Sequence, residues 1–168
     1  MLTSVEAYTP TGWTPLPPLP HAASEATACV LKGRLYVIGG YQSNRLQVLE
    51  MTEKNGLSWS CKAELPADRY AAASVVHNGR IWVMGGYVGG RTSATVLTYD
   101  AEADTWEAGP PLPSPCSNCR AAATEDGIFL YGYGDGRARA FRYANAVWSA
   151  VAVGLNVVAP SCGSLLLG

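Results

Sequence analysis

The 168-residue chain predicts an all-β propeller built from four-stranded antiparallel blades, and three observations carry that expectation. The phrase "GRLYVIGGY" at 33–41 returns as "GRIWVMGGY" at 79–87 and, worn, as "DGIFLYGYG" at 126–134, so that Gly39, Gly85 and Gly132 lie 46 and 47 residues apart. Trp13, Trp59 and Trp106 each stand 26 residues before one of these glycines, so two markers of unrelated chemistry share one frame. Finally, 18 Gly and 11 Pro separate short bursts rich in Trp, Tyr, Val and Leu, a pattern of many short strands and many turns with no long amphipathic helix. A unit of this period cannot bury its apolar faces alone and is completed by stacking on its neighbours.

Each period reads as four strands, A to D. A small-residue run comes first ("EATACVL", "AAASVV", "CRAAATE"), followed by the Gly-bounded apolar run. An alternating segment closing near Tyr ("SATVLTYD", "RARAFRY") and a Trp strand with Leu-Pro behind it ("WEAGPPLP") complete the unit. Strand A belongs nearest the axis, where blades crowd, and its Ala28, Ala72, Ala73, Ala121 and Ala122 are small enough for that approach. Trp59 and Trp106 suit the widening wedge between blades, each ring burying on the order of 200 Å². Gly39-Gly40 and Gly85-Gly86 end strand B at a sharp turn of positive φ.

This pattern divides the chain into blades at 20–66, 67–113 and 114–152 within a single domain, 1–168. Residues 1–19 read as strands C and D alone, since Tyr8 precedes Trp13 by five just as Tyr143 precedes Trp148, and residues 153–168 read as strands A and B alone. The two halves would make one composite blade with Trp13 in its core, closing a four-bladed ring without a long exposed edge. Pairing of the halves between two chains, as a strand-swapped eight-bladed dimer, or a chain that is a piece of a larger propeller, are the other arrangements.

Composition removes several function classes. A net charge of −1 with 15% charged residues is no electrostatic clamp for nucleic acid. No window approaches the roughly 18 uninterrupted apolar residues of a membrane span, and "MLTSVEAYTP" lacks a secretory pattern, which reads as a soluble, cytoplasmic protein. Five irregularly spaced cysteines argue against a disulfide framework. Cys116 and Cys119, in "CSNC", have the spacing of half a zinc site or of a redox pair. With His21 and His77 as the only histidines and no second C-x-x-C, they read as loop cysteines without a function, and neither a metal nor another cofactor is expected. No Ser-His-Asp set, phosphate-binding loop or carboxylate pair is legible.

The Gly-Gly doublets, the Tyr99-Asp100 pair and the Trp six residues after Asp100 resemble Kelch repeats, closely over 66–113, well over 20–65 and more weakly over 114–152. Repeat 1 departs from the family's pattern at Met51, where Tyr is expected, and repeat 3 at Tyr133, which replaces the second glycine. The resemblance implies recognition of partner peptides through the loops joining B to C and D to A. Some propellers that resemble this one are enzymes, among them galactose oxidase and the sialic acid mutarotases, so a small sugar mutarotase or epimerase is the alternative to a non-catalytic interaction module.

The B–C loops "GGYQSNRL", "GGYVGGRT" and "GYGDGRAR" each place an arginine five or six residues after the first glycine. Because strands alternate in direction, Tyr41, Asn44, Arg45, Tyr87, Arg91, Tyr133 and Arg137 from these loops share one rim with Arg69 and Tyr70 from a D–A loop, and Arg120 stands near them. Arginine forks take carboxylate or phosphate, and tyrosines give rigid amphipathic area, so the rim suits an acidic or phosphorylated peptide. The competing reading is that the arginines pair with acids such as Asp68 and Asp135 and merely cover blade edges.

Overall fold

The structure, a computed structural model, describes residues 3–41, 47–53 and 56–152. It opens with a hairpin of β1 (Val5–Thr9) and β2 (Gly12–Leu16). The first full sheet runs β3 (Thr27–Leu31), β4 (Arg34–Ile38), β5 (Val48–Thr52) and β6 (Ser58–Cys61), paired in chain order. In the second blade β7 (Ala73–His77) and β8 (Arg80–Met84) lead into a small hairpin of β9 (Tyr87–Val88) and β10 (Arg91–Thr92), after which β11 (Val96–Asp100) and β12 (Thr105–Ala108) complete the sheet β7-β8-β11-β12. The third consists of β13 (Ser117–Thr124), β14 (Gly127–Gly134), β15 (Arg137–Ala144) and β16 (Val147–Ala150). Every pairing is antiparallel, and the described residues are free of helix.

Turn chemistry sets the meander. Lys32-Gly33 and Asn78-Gly79 join A to B with both residues at positive φ (50° and 77°; 50° and 73°), the mirror-image two-residue turn that matches strand twist. The third repeat departs from the first two at its B–C connection. Where Gly39-Gly40 and Gly85-Gly86 turn out of the sheet at positive φ, Gly132 and Tyr133 stay extended and remain paired, opposite Arg139 and Ala138. Replacing the second glycine removes the turn, so β14 and β15 run on to a tight Asp135-Gly136 turn in place of a broad loop.

Two cores lie between blades. Along β8 the side chains alternate: Ile81 and Val83 join Leu31, Tyr36, Ile38, Val48, Leu65 and Tyr99 between the first and second blades. Trp82 and Met84 join Val96, Leu112, Ile128, Leu130, Phe141 and Trp148 between the second and third. A strand buried on both faces needs an unbroken apolar run, which is why the repeated phrase is apolar throughout. The Trp106 ring packs on Tyr99 at 4.8 Å, and its N–H donates to Ala63 O of the preceding blade at 2.9 Å. Trp59 does the same toward Pro17 O, also at 2.9 Å, so each wedge residue also ties its blade to the one before.

Trp13 does not enter a core. It pairs with Tyr8 in register, the two rings meet edge to face at 5.4 Å, and Trp13 and Tyr8 are 70% and 73% exposed. Among the described residues its hairpin has no third strand to supply a buried face. The other half of the expected composite blade, 153–168, lies outside the described residues.

Candidate functional site

Glycine geometry builds the B–C/D–A rim. Gly39 and Gly86 sit at φ 68° and 86°, and a Cβ there would stand 2.3 Å from Arg69 O and 2.6 Å from Tyr70 O respectively. The D–A segment around Arg69-Tyr70 therefore lies directly across both doublets, held by Gly40 N–H to Arg69 O (2.9 Å) and by Tyr87 N–H to Tyr70 O (2.9 Å). Tyr41 N–H donates to Ser24 O at 2.7 Å. This crossing brings three half-buried tyrosines into one row. The Tyr41 and Tyr70 rings are 4.9 Å apart and tilted by 59°, while Tyr70 and Tyr87 are 4.9 Å apart and nearly parallel at 15°.

Arg69 corrects the sequence reading. It is buried at 3% exposure, with Nη1 donating to Gly85 O at 2.5 Å and Nη2 to Thr95 Oγ1 at 2.7 Å. Burial pushes its pKa down to about 10, which still leaves a charged guanidinium at neutral pH. The side chain braces the D–A segment against the second blade's B–C connection and is not presented to a partner.

The other predicted residues fall into three groups. Arg91, at the β9–β10 tip opposite Val88, and Arg137, at the start of β15, are exposed, as is Arg120. Tyr133 is half-buried on β14 and accepts the Tyr131 hydroxyl at 2.8 Å. Asn44 and Arg45 lie outside the described residues. Among the described residues Arg91, Arg120 and Arg137 have no carboxylate within ion-pairing distance; Asp135 pairs with Arg139 at 3.5 Å, and Asp68 accepts the Gly89 N–H at 2.9 Å. At the opposite rim Lys32 is engaged by Glu102, Arg34 by Glu50 at 2.8 Å, and Arg80 by Asp100 at 3.3 Å and by Glu107, while Arg142 lies over the Phe129 ring at 5.5 Å.

Sequence reasoning missed what surrounds the axis. The innermost strands β3, β7 and β13 border a cavity of about 330 Å³ whose polar lining is Glu25, Thr27, Ser74, Asn118 and Arg120. Glu25 and Ala71, two residues ahead of β3 and β7, and Asn118, the second residue of β13, lie at φ 54°, 53° and 50°, the left-handed region, in the same frame as the glycines. Ala71 N–H donates to Glu25 O at 2.9 Å, and Cys119 N–H to Ala71 O at 3.1 Å, so the main chain links neighbouring blades there. The repeat frame was the available signal, and residue type added one only at Asn118. Cys116 lies in the connection before β13 and Cys119 on that strand, and both are fully buried. Among the described residues no group of three or more His, Cys, Asp or Glu could hold a metal.

The comparisons agree with this architecture. The profile of the KLHDC2/KLHL20/DRC7 Kelch-repeats domain matches residues 5–160. Kelch-like protein 35 of Mus musculus is 31% identical over 138 residues, covering 78% of this chain and 23% of the relative. Its Homo sapiens counterpart is 33% identical over 134 residues with the same coverage, so the chain spans about a quarter of the length of these curated relatives. Among solved structures YjhT superposes with a TM-score of 0.74 at 20% identity, over 86% of this chain and 56% of that one, a likeness of fold. Doublet turns, tryptophan ties between blades and a profile match over nearly all its length establish that the chain belongs to the Kelch-repeat family of β-propellers.

Proposed function

We propose that this chain is a protein-recognition module that holds a short acidic or phosphorylated segment of a partner on its B–C/D–A rim. The observation that carries the reading is the row of Tyr41, Tyr70 and Tyr87 on the rim where, among the described residues, Arg91, Arg120 and Arg137 have no ion-paired carboxylate, while Lys32, Arg34 and Arg80 at the opposite rim are ion-paired. Tyrosines fixed by stacking and by main-chain bonds lose little side-chain freedom on binding, so the apolar area they offer converts efficiently into affinity. Arginine forks set in that surface discriminate for carboxylate or phosphate. Local positive potential on a chain of net charge −1 favours a short anionic motif over a long polyanion. Kelch resemblance supports the same rim.

The test is a displayed library of phosphorylated and unphosphorylated peptides screened on the purified chain, followed by titration of the selected peptides. Arg91→Ala, Arg137→Ala and Tyr70→Ala should each weaken binding by about 1–3 kcal/mol, and the two arginine changes should leave the melting temperature nearly unchanged. Binding that persists in all three variants places the contact elsewhere. Turnover of a sugar with no peptide retained would support the enzymatic alternative.

A further inference from the structure

We propose that Cys116 and Cys119 form a dithiol site that hydrogen peroxide converts to a reversible disulfide. Their sulfurs are 3.1 Å apart, both side chains are buried (0% and 1% exposed), and neither is in a disulfide. The juxtaposition is built by the backbone. Side chains three apart on a regular strand point to opposite faces. Here the β13–β14 register shifts between Ser117 and Arg120, with Asn118 at φ 50°, and this bulge turns Cys119 onto the side of Cys116. The space is also built: a Cβ on Gly85 would stand 2.8 Å from Cys119 Sγ and 3.1 Å from Cys116 Sγ, and one on Gly132 3.0 Å and 3.4 Å from the same atoms. The thiols fill the hollow that the two repeat glycines leave. Among the described residues no third ligand joins them, so the pair fits disulfide chemistry better than a metal.

The two sulfurs are not equivalent. Cys119 is held below the usual thiol range by the hydrogen bond from Cys116, against the opposing effect of burial, with help from the Gly86 N–H and the Arg120 and Arg69 charges. Cys116 is pushed well above that range by the same bond and by burial. Because Cys119 and not Cys116 lines the axial cavity, and the shifts run the same way, Cys119 is the attacking sulfur and Cys116 the resolving one. Cys119 also borders the axial cavity of about 330 Å³, a route for a small oxidant, whereas burial of both sulfurs excludes a protein disulfide as the oxidant.

Chemistry proceeds in two balanced steps. The Cys119 thiolate attacks one peroxide oxygen, the O–O bond breaks, and the departing hydroxide takes a proton to become water, leaving a sulfenic acid. Cys116 then loses its proton and attacks the Cys119 sulfur; the S–O bond breaks and a second water departs. Two thiols and one peroxide give one disulfide and two waters, and a small dithiol reductant reverses the result.

The experiment uses the full reduced chain treated with hydrogen peroxide, then alkylated and mapped by mass spectrometry. Two of the five thiols should be lost, a single peptide should carry the Cys116–Cys119 link, and dithiothreitol should restore both thiols. Cys116→Ser should accumulate a dimedone-reactive sulfenic acid at Cys119, and Cys119→Ser should not react at Cys116. All five thiols retained, or loss confined to the exposed Cys61 while the pair stays reduced, overturns the proposal. Dimedone labelling of Cys116 in the Cys119→Ser chain would overturn the assignment of roles.

Discussion

Replacing Arg69 by alanine separates a brace from a binding residue, because the two roles predict opposite results. The guanidinium donates to Gly85 O at 2.5 Å and to Thr95 Oγ1 at 2.7 Å, both across to the second blade's B–C connection. Hydrogen bonds from a charged donor contribute about 1.5–3 kcal/mol each, and removal leaves the buried Gly85 O without its donor. Against this, the variant no longer buries a charge, so a net loss of about 3 kcal/mol is expected from a total of about 5–15 kcal/mol. At about 2–4 °C per kcal/mol for a chain of this size, the melting temperature should fall by about 6–12 °C. Arg69→Met keeps the aliphatic stem and should fall between the two. Differential scanning calorimetry and urea titration of both variants, beside Arg91→Ala, would measure the difference. An Arg69→Ala chain that melts with the wild type would refute the brace, and the reasoning from burial with it.

Two further outcomes follow from the same geometry. Gly85→Ala puts a methyl 2.8 Å from Cys116 O at a left-handed φ and should cost about 2–4 kcal/mol, whereas Gly79→Ala, with a similar φ but open space, should cost about 1 kcal/mol; equal urea midpoints for the two would sink the close-packing argument. Burial pushes the Glu50 carboxyl upward, but the Arg34 and Tyr36 hydrogen bonds and the Lys62 charge outweigh it and hold the group below its ordinary range. Because the folded value is the lower one, its contribution is present above an unfolded value of about 4.5 and fades as pH falls through the folded value. Stability measured from pH 6 to about 3 should therefore drop less steeply in Glu50→Gln, and identical slopes would contradict the linkage.

Much of the architecture was readable because it rests on residues with few substitutes. A glycine doublet at positive φ and a tryptophan wide enough for the wedge recur at fixed spacing, and the strands fall where that frame puts them. Tyr41, Tyr70 and Tyr87 were likewise legible as sharing a rim. What could not be read was direction. Arg69 and Arg91 carry the same side chain near the same rim, yet one points into the protein and the other to solvent, and that depends on where a neighbouring blade's carbonyls lie. The juxtaposition of Cys116 and Cys119 was not legible because the bulge between Ser117 and Arg120 reverses a side chain's face without a glycine inside it. The left-handed Glu25, Ala71 and Asn118 are hidden for a similar reason, since only the last is a common choice for that conformation.

Those three residues bear on how such a stack of blades can change over time. At the axis Ala71 N–H and Ala71 O bond to Glu25 on one side and Cys119 on the other through main-chain atoms alone, and the side-chain bond beside them, Thr27 Oγ1 to Ser74 Oγ at 2.7 Å, involves none of the three residues. A carboxylate, a methyl and an amide already occupy equivalent backbone positions in one chain. The mouth of the cavity can therefore exchange its chemical character, residue by residue, without loosening the joint beneath it. Diversity at that mouth is limited by the left-handed backbone, which asparagine and aspartate tolerate best, and a designer seeking to graft new polar groups onto this scaffold would begin there with those two.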